Sequence, residues 1–214
     1  MTEHHPAPQA GSEPSRTVEV ERKYDVDDAT PLPDWTGLPG VDEVSEGEVR
    51  ELDARYLDTA DADLSRAGVA LRRRTGGPDA GWHIKGPREG DGRVEIGWPL
   101  GDDDSVPAEV TETLSRWTTG ELTPLARIEN TRTAYLLTGQ DGVIAEFVDD
   151  RVRATDLRHG VSREWREWEF ELGPAAPADA AGRERLFAAV EAAVHTAGGR
   201  TASSGSKLAR ALGF

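Results

Sequence analysis

The sequence predicts an α+β fold, a closed antiparallel β-barrel with helices packed outside. Three observations lead there. From about residue 17 to 172, short alternating stretches are separated by turn signals such as Gly76-Gly77-Pro78, Asp91-Gly92 and Asp141-Gly142, the pattern of antiparallel strands. Several of these stretches have one strongly charged face and one bulky apolar face. Two other segments repeat apolar residues every three or four positions, as helices that cover a sheet would.

The first strand, 18–25, places Val18, Val20, Arg22 and Tyr24 on one face and Glu19, Glu21, Lys23 and Asp25 on the other. Further strands are predicted at 41–50, 51–58, 69–75, 82–85, 93–98, 125–137, 143–150 and 163–172. Arg72 and Arg74 share a face with Ala70, and Lys85 shares one with His83. Arg93 and Glu95 oppose Val94, Ile96 and Trp98, while Glu167, Glu169 and Glu171 oppose Trp168, Phe170 and Leu172. A sheet closed on its charged faces encloses a charged lumen, and barrels of about eight strands leave room for side chains or a small ligand. Unpaired buried charge is costly, so such a lumen needs a ligand.

Pro107 opens the first helix, whose Val110, Leu114 and Trp117 form one stripe. A second helix is predicted over 178–197, with Leu186, Val190 and Val194 at four-residue spacing and Gly198-Gly199 as its stop. A short helix closes the chain at 206–212. Residues 1–16, rich in Pro, Ser, Gly, Ala and charge, read as a disordered tail, leaving one domain over 17–214.

Composition narrows the function classes. Across 214 residues, 25 Lys and Arg face 40 Asp and Glu, for a net charge of -15. General binding to nucleic acid or an anionic membrane is disfavoured, and any anion site must be a local basic pocket. The absence of Cys excludes disulfides, thiolate zinc sites and thiol nucleophiles, but permits metal held by carboxylates. No apolar run approaches the roughly 20 residues of a membrane span, and no signal peptide is apparent, so a cytoplasmic protein is expected.

Glu19-Val20-Glu21-Arg22-Lys23 resembles the Glu-x-Glu-x-Lys signature of the CYTH superfamily, the triphosphate tunnel metalloenzymes. The rest of the chain repeats that family's order: RYLDT at 55–59, ALRRR at 70–74, WHIKGP with Lys85, GRVEIGWPL with Glu95, NTRTAY with Arg132, AEFVDDRV with Asp150, EFEL with Glu169 and Glu171, and SKLARAL with Lys207. The resemblance implies an eight-stranded antiparallel tunnel that binds triphosphates with Mg²⁺ or Mn²⁺. By position, Glu19, Glu21, Glu169 and Glu171, helped by Asp150, would face metal. Lys23, Arg72, Arg74, Lys85, Arg132 and Lys207 would cradle phosphates, with Glu19, Glu21 and Lys85 in the catalytic set. Glu95, together with Arg93, would orient neighbouring cations.

Parity with Glu146 favours Asp150 over Asp149, and pattern favours Arg132 over Arg127. A bulge would let Glu167 replace Glu169 or Glu171. His83 is read as a structural histidine. The stretch at 199–209, GRTASSGSKLA, fails the spacing of a phosphate loop, which leaves Lys207 on the terminal helix. The implied activity is hydrolysis of inorganic tripolyphosphate, thiamine triphosphate or nucleoside triphosphates, with no side chain assigned as base. A class IV type adenylate cyclase and a non-catalytic polyphosphate-binding module are the alternatives. A helical CHAD-domain partner would be expected on another polypeptide.

Overall fold

Alternation of charge and apolar bulk along the strands is resolved by closing the sheet around the charge. The computed structural model describes residues 14–90 and 92–214. The ring runs through β1 (Ser15–Val26), β6 (Gly92–Trp98), β5 (Gly81–Glu89), β4 (Ala70–Thr75), β3 (Glu48–Asp58), β7 (Thr123–Gly139), β8 (Gly142–Asp156) and β9 (Val161–Leu172), then returns to β1. These eight strands pair antiparallel throughout. β1 is the seam: Ser15 to Val20 pair with β6, and Glu21 to Val26 pair with β9. Two short strands extend the sheet, β2 (Glu43–Val44) beside β7 and β10 (Arg200–Thr201) beside β1.

Turning charge inward leaves apolar faces outside, and helices cover two of them. α3 (Ala180–Ala197) sets Leu186, Phe187, Val190 and Val194 against Tyr24, Phe147, Trp168 and Phe170, with Trp35 and Leu38 completing this core. Asp179 caps α3 by accepting from the Gly182 amide, and Gly198, at φ 104°, stops it in the left-handed region. On the other side, α1 (Asp63–Arg66) and α2 (Ala108–Leu114) contribute Leu64, Val110 and Leu114 to a core with Leu71, Trp82, Ile84 and Trp98.

The last helix departs from the expectation that all helices pack outside. α4 (Lys207–Leu212) sets Leu208, Ala211 and Leu212 against Ala54, Tyr56, Ile128, Val152 and Ala154, which face the lumen. Those positions on β3, β7 and β8 are apolar, so one end of the barrel is filled by α4 while the rest stays charged. Ser206 caps α4 through the Ala209 amide at 3.1 Å, and Arg163 Nη1 donates to the Ala211 carbonyl at 2.7 Å.

Two expected strands merge. Instead of breaking between residues 50 and 51, β3 runs unbroken from Glu48, and only β2 remains of the segment at 41–50. The interruption lies at Gly47, where a Cβ would sit 2.7 Å from Thr133 Cγ2 and 2.9 Å from the Tyr135 ring. β8 continues to Asp156, beyond the expected end at 150. Ser15 and Arg16 belong to β1 rather than to a tail, and residues 1–13 of the expected tail lie outside the described residues. No helix of the described residues is long and apolar enough to cross a membrane.

The outer core should carry much of the stability. Trp168 is fully buried and touches Phe147 at 5.7 Å between centroids. Trp168→Ala is expected to cost about 3–5 kcal/mol, read as a lower denaturant midpoint. A loss below about 1 kcal/mol would contradict this assignment.

Candidate functional site

The inward positions of β1, β3 to β9 and the start of α4 line a cavity of about 1000 Å³. Its walls include Glu19, Glu21, Lys23, Arg72, Arg74, Lys85, Arg93, Glu95, Arg132, Glu169, Glu171 and Lys207. Period-two geometry accounts for this convergence, since each strand offers every second side chain to the lumen. Asp150 is completely buried on the lumen side. Its neighbour Asp149 turns outward to Arg166, at 2.7 and 3.0 Å, and to Trp168 Nε1. Arg127 also faces away, paired with Asp53 at 2.8 Å and Glu129 at 3.1 Å.

The deep part of the lumen is an ion cluster. Arg132 grips Asp150 with two 2.8 Å hydrogen bonds and reaches Glu169 at 2.7 Å. The Lys207 ammonium lies 2.8 Å from Asp150, 2.6 Å from Glu167 and 2.7 Å from Glu169. Lys23 pairs with Glu169 and, at 2.9 Å, with Glu21. Burial alone would raise the Glu169 carboxyl, yet Lys207, Lys23 and Arg132 hold it well below the usual range. Asp150 is lowered in the same way, with Lys207 and Arg132 overcoming burial. Asp150, Glu167 and Glu169 offer oxygens within 4.8 Å of one another, a buried acidic group that could hold a metal. In this arrangement the Lys207 ammonium stands among those oxygens.

A second carboxylate group is under-neutralised. Glu171 makes no hydrogen bond or ion pair among the described residues, and burial with the nearby Glu19 and Glu21 charges pushes its carboxyl up to about 7. Glu19 and Glu21 each have one lysine, Lys85 at 2.6 Å and Lys23 at 2.9 Å. Three carboxylates sharing two lysines fit a divalent cation, because oxygen ligands crowded in this way are relieved by a hard positive ion.

Opposite stands a cationic wall. Arg72 meets Glu95 at 3.4 Å, and Lys85 meets Glu95 at 3.0 Å. Burial would raise Glu95, but the hydrogen bond from His83 together with Lys85 and Arg72 holds it well below the usual range. Burial, with Arg72 and Arg132 close by, pushes Arg74 down to about 9. The Nε atoms of Arg50, Arg72 and Arg74 are buried without acceptors. Arg93, also in the cavity wall, donates to the Gly86 carbonyl at 2.6 Å and the Gly68 carbonyl at 3.1 Å.

Beside His83, read above as a structural histidine, other groups enter that sequence reasoning passed over. His83 lines the lumen with Nδ1 2.7 Å from Glu95 Oε1, and Arg50 joins Glu146 at 2.8 Å and Glu48 at 2.7 Å. Arg50 shares parity with Tyr56, a signal hidden when the strand is divided after residue 50. Asp79, in the turn between β4 and β5, pairs with Arg74.

Comparison with known proteins agrees with this geometry. The model of the CYTH domain family matches residues 17–210. Two Mycobacterium tuberculosis proteins, uncharacterized protein MT2285 of strain CDC 1551 / Oshkosh and uncharacterized protein Rv2226 of strain H37Rv, are each 38% identical over 213 residues. The alignments cover 94% of this chain and 41% of either relative, so the chain spans about two-fifths of their length. Among solved structures, a candidate adenylate cyclase from Bacillus halodurans superposes with a TM-score of 0.62 at 19% identity, covering 91% of this chain and 97% of that one. A candidate adenylyl cyclase from Hippeastrum, HpAC1, described as having a dominant triphosphatase activity, superposes at 0.51 with 17% identity, covering 89% and 93%. Barrel closure, an inward-facing Glu-x-Glu-x-Lys strand and a family match over nearly the whole chain together establish that this protein belongs to the CYTH domain family.

Proposed function

We propose that the protein is a metal-dependent triphosphatase that cleaves a phosphoanhydride bond of inorganic tripolyphosphate or a related triphosphate inside the barrel. One observation carries this reading: the lumen has two opposed walls, each crowded with like charge. The carboxylates of Glu19, Glu21 and Glu171 come from β1 and β9, Arg72 and Arg74 come from β4 across the ring, and Lys85 on β5 stands between the two groups, paired with Glu19 and Glu95. A polyphosphate together with a divalent cation complements both walls at once.

In this reading Glu19, Glu21 and Glu171 hold Mg²⁺ or Mn²⁺. Asp150 and Glu169, already engaged by cations, anchor Arg132, Lys23 and Lys207 toward the phosphates. When bound, the metal neutralises charge on the phosphoryl oxygens and lowers the pKa of its water. Arg72 and Arg74 present forked donors, while Lys85, held between Glu19 and Glu95, supplies a point charge at the meeting of the walls. Placement and charge neutralisation are the main contributions expected of protein groups in phosphoryl transfer. A cytoplasmic setting belongs to the same proposal, as does a polyphosphate-associated CHAD-domain partner. The adenylate cyclase alternative needs a base-recognition pocket, for which the sequence offers no motif.

Orthophosphate, pyrophosphate and cyclic nucleotide should be measured after incubation with tripolyphosphate, thiamine triphosphate and ATP. Orthophosphate release from tripolyphosphate is expected, dependent on added Mg²⁺ or Mn²⁺. Glu19→Gln should abolish it, and Arg72→Ala or Lys85→Ala should each lower kcat/KM by roughly ten- to a hundredfold. Turnover undiminished by excess chelator, or cyclic nucleotide as the main product from ATP, would overturn the reading.

Glu171 supplies an independent test. Its carboxyl lies near 7 in the folded chain against an ordinary value of 4.5, so the folded state holds the proton more tightly. Its contribution to stability is therefore greatest at low pH and is lost as pH rises from about 4.5 to 7. Glu171→Gln should melt close to wild type near pH 4.5 and roughly 5 °C higher at pH 8 without metal. Added Mg²⁺ should raise the wild-type melt more than that of the variant. A difference independent of pH would remove Glu171 from the crowded carboxylate group.

A further inference from the structure

The turn at 76–80 brings a carboxylate to the cationic wall from outside the barrel. Gly76, at φ 77°, is pinned to β3, where a Cβ would stand 1.9 Å from the Glu51 carbonyl oxygen. His83 holds the other side, its Nε2 lying 2.9 Å from the Asp79 carbonyl oxygen. Fixed at both sides, the turn sends the Asp79 carboxylate to Arg74. The Asp79 side chain is 54% exposed and that of Arg74 only 7%. The buried guanidinium therefore meets its anion at the solvent edge of the cavity.

Arg74 needs an anion. Among the described residues its Nε is buried without an acceptor, and the like charges of Arg72 and Arg132 act on it against the opposing carboxylate of Glu95. A phosphoryl group entering the lumen would meet Arg74 through the same donors that Asp79 uses. We propose that Asp79 is a built-in occupant of the phosphate position at Arg74, displaced by an incoming polyanion, so that the turn at 76–80 sets a charge threshold for entry. The inference rests on the triphosphate reading above. Asp79 brings a single carboxylate that is itself 54% exposed, so a multiply charged phosphate end outcompetes it at Arg74, whereas an anion of low charge gains too little to do so.

Binding without turnover tests this. Tripolyphosphate is titrated calorimetrically into wild type, Asp79→Asn, Asp79→Ser, Arg74→Gln and Asp79→Asn/Arg74→Gln, at fixed ionic strength in chelator. Glu184→Gln, an exposed substitution on α3, controls for net charge. Both Asp79 variants are expected to bind about three- to tenfold more tightly than wild type. In the Arg74→Gln background the Asp79→Asn gain should vanish, since the two residues then share nothing to couple. Orthophosphate affinity should also rise, narrowing its gap from tripolyphosphate.

If wild type binds tripolyphosphate but neither Asp79 variant binds more tightly, the occupant role is overturned and the triphosphate reading survives. An equal gain from Glu184→Gln, or one that persists without Arg74, also overturns it as a mere charge effect. Failure of wild type to bind tripolyphosphate, with or without Mg²⁺, would instead remove the triphosphate reading and this inference with it.

Discussion

Burial of ionised side chains inside a closed sheet is the constraint on which the rest of the architecture depends. Charge cannot be left alone in a low-dielectric interior, and at several points the strands meet in a register that sets an acid against a base, although Glu21 opposite Glu171 leaves two acids together. Glu169 opposite Lys23 on the β9 and β1 seam and Asp150 opposite Arg132 on β8 and β7 are pairs of acid and base. Turning these faces inward leaves Trp82, Trp98, Trp168 and Phe170 outside the ring. They are kept from water by α1, α2, α3 and the loop that carries Trp35. The external helices thus follow from the polarity of the lumen.

Neutralisation within the barrel is uneven. Around Lys207 every nearby acid has at least one cation, and Asp150 is sealed from solvent. That cluster ties α4 to β8 and β9 and shapes the floor. Farther along, the balance breaks: among the described residues Glu171 makes no hydrogen bond or ion pair, and Arg74 lies close to Arg72 and Arg132. Such imbalance costs stability, and the metal and triphosphate of the proposed function would relieve it. Under the proposed function, the saturated floor serves structure and the frustrated upper walls serve binding.

Much of this was legible from alternation. Glu19, Glu21 and Lys23 could be assigned to one face because a strand permits no other arrangement, and the same parity separated Asp150 from Asp149. The short helix at 206–212 was expected, but not its insertion into the barrel end. That insertion depends on Ala54, Ile128 and Ala154, small or apolar residues far apart in sequence that meet only on closure. Arg50 and Glu146 were missed for a related reason, since each becomes meaningful only beside the other across β3, β7 and β8. Asp79 lay in a Gly-Pro turn whose composition reports bending and says nothing about where the tip points. His83 was readable as a structural histidine, yet its bond to Glu95 ties it to the charged wall as well.

The divided pairing of β1 also bears on how the protein is made. The strand carrying Glu19, Glu21 and Lys23 leaves the ribosome before its neighbours, yet its second half is completed only by β9, through pairs such as Glu21 with Glu171. A contact spanning so much of the chain is slow to form, and an unpaired strand edge invites association with other nascent chains. The charged side chains of Glu19, Glu21 and Lys23 along that edge are costly to desolvate, which opposes such pairing. The residues that would grip a ligand in the finished barrel therefore also guard the growing polypeptide while its closing strand is still being synthesised.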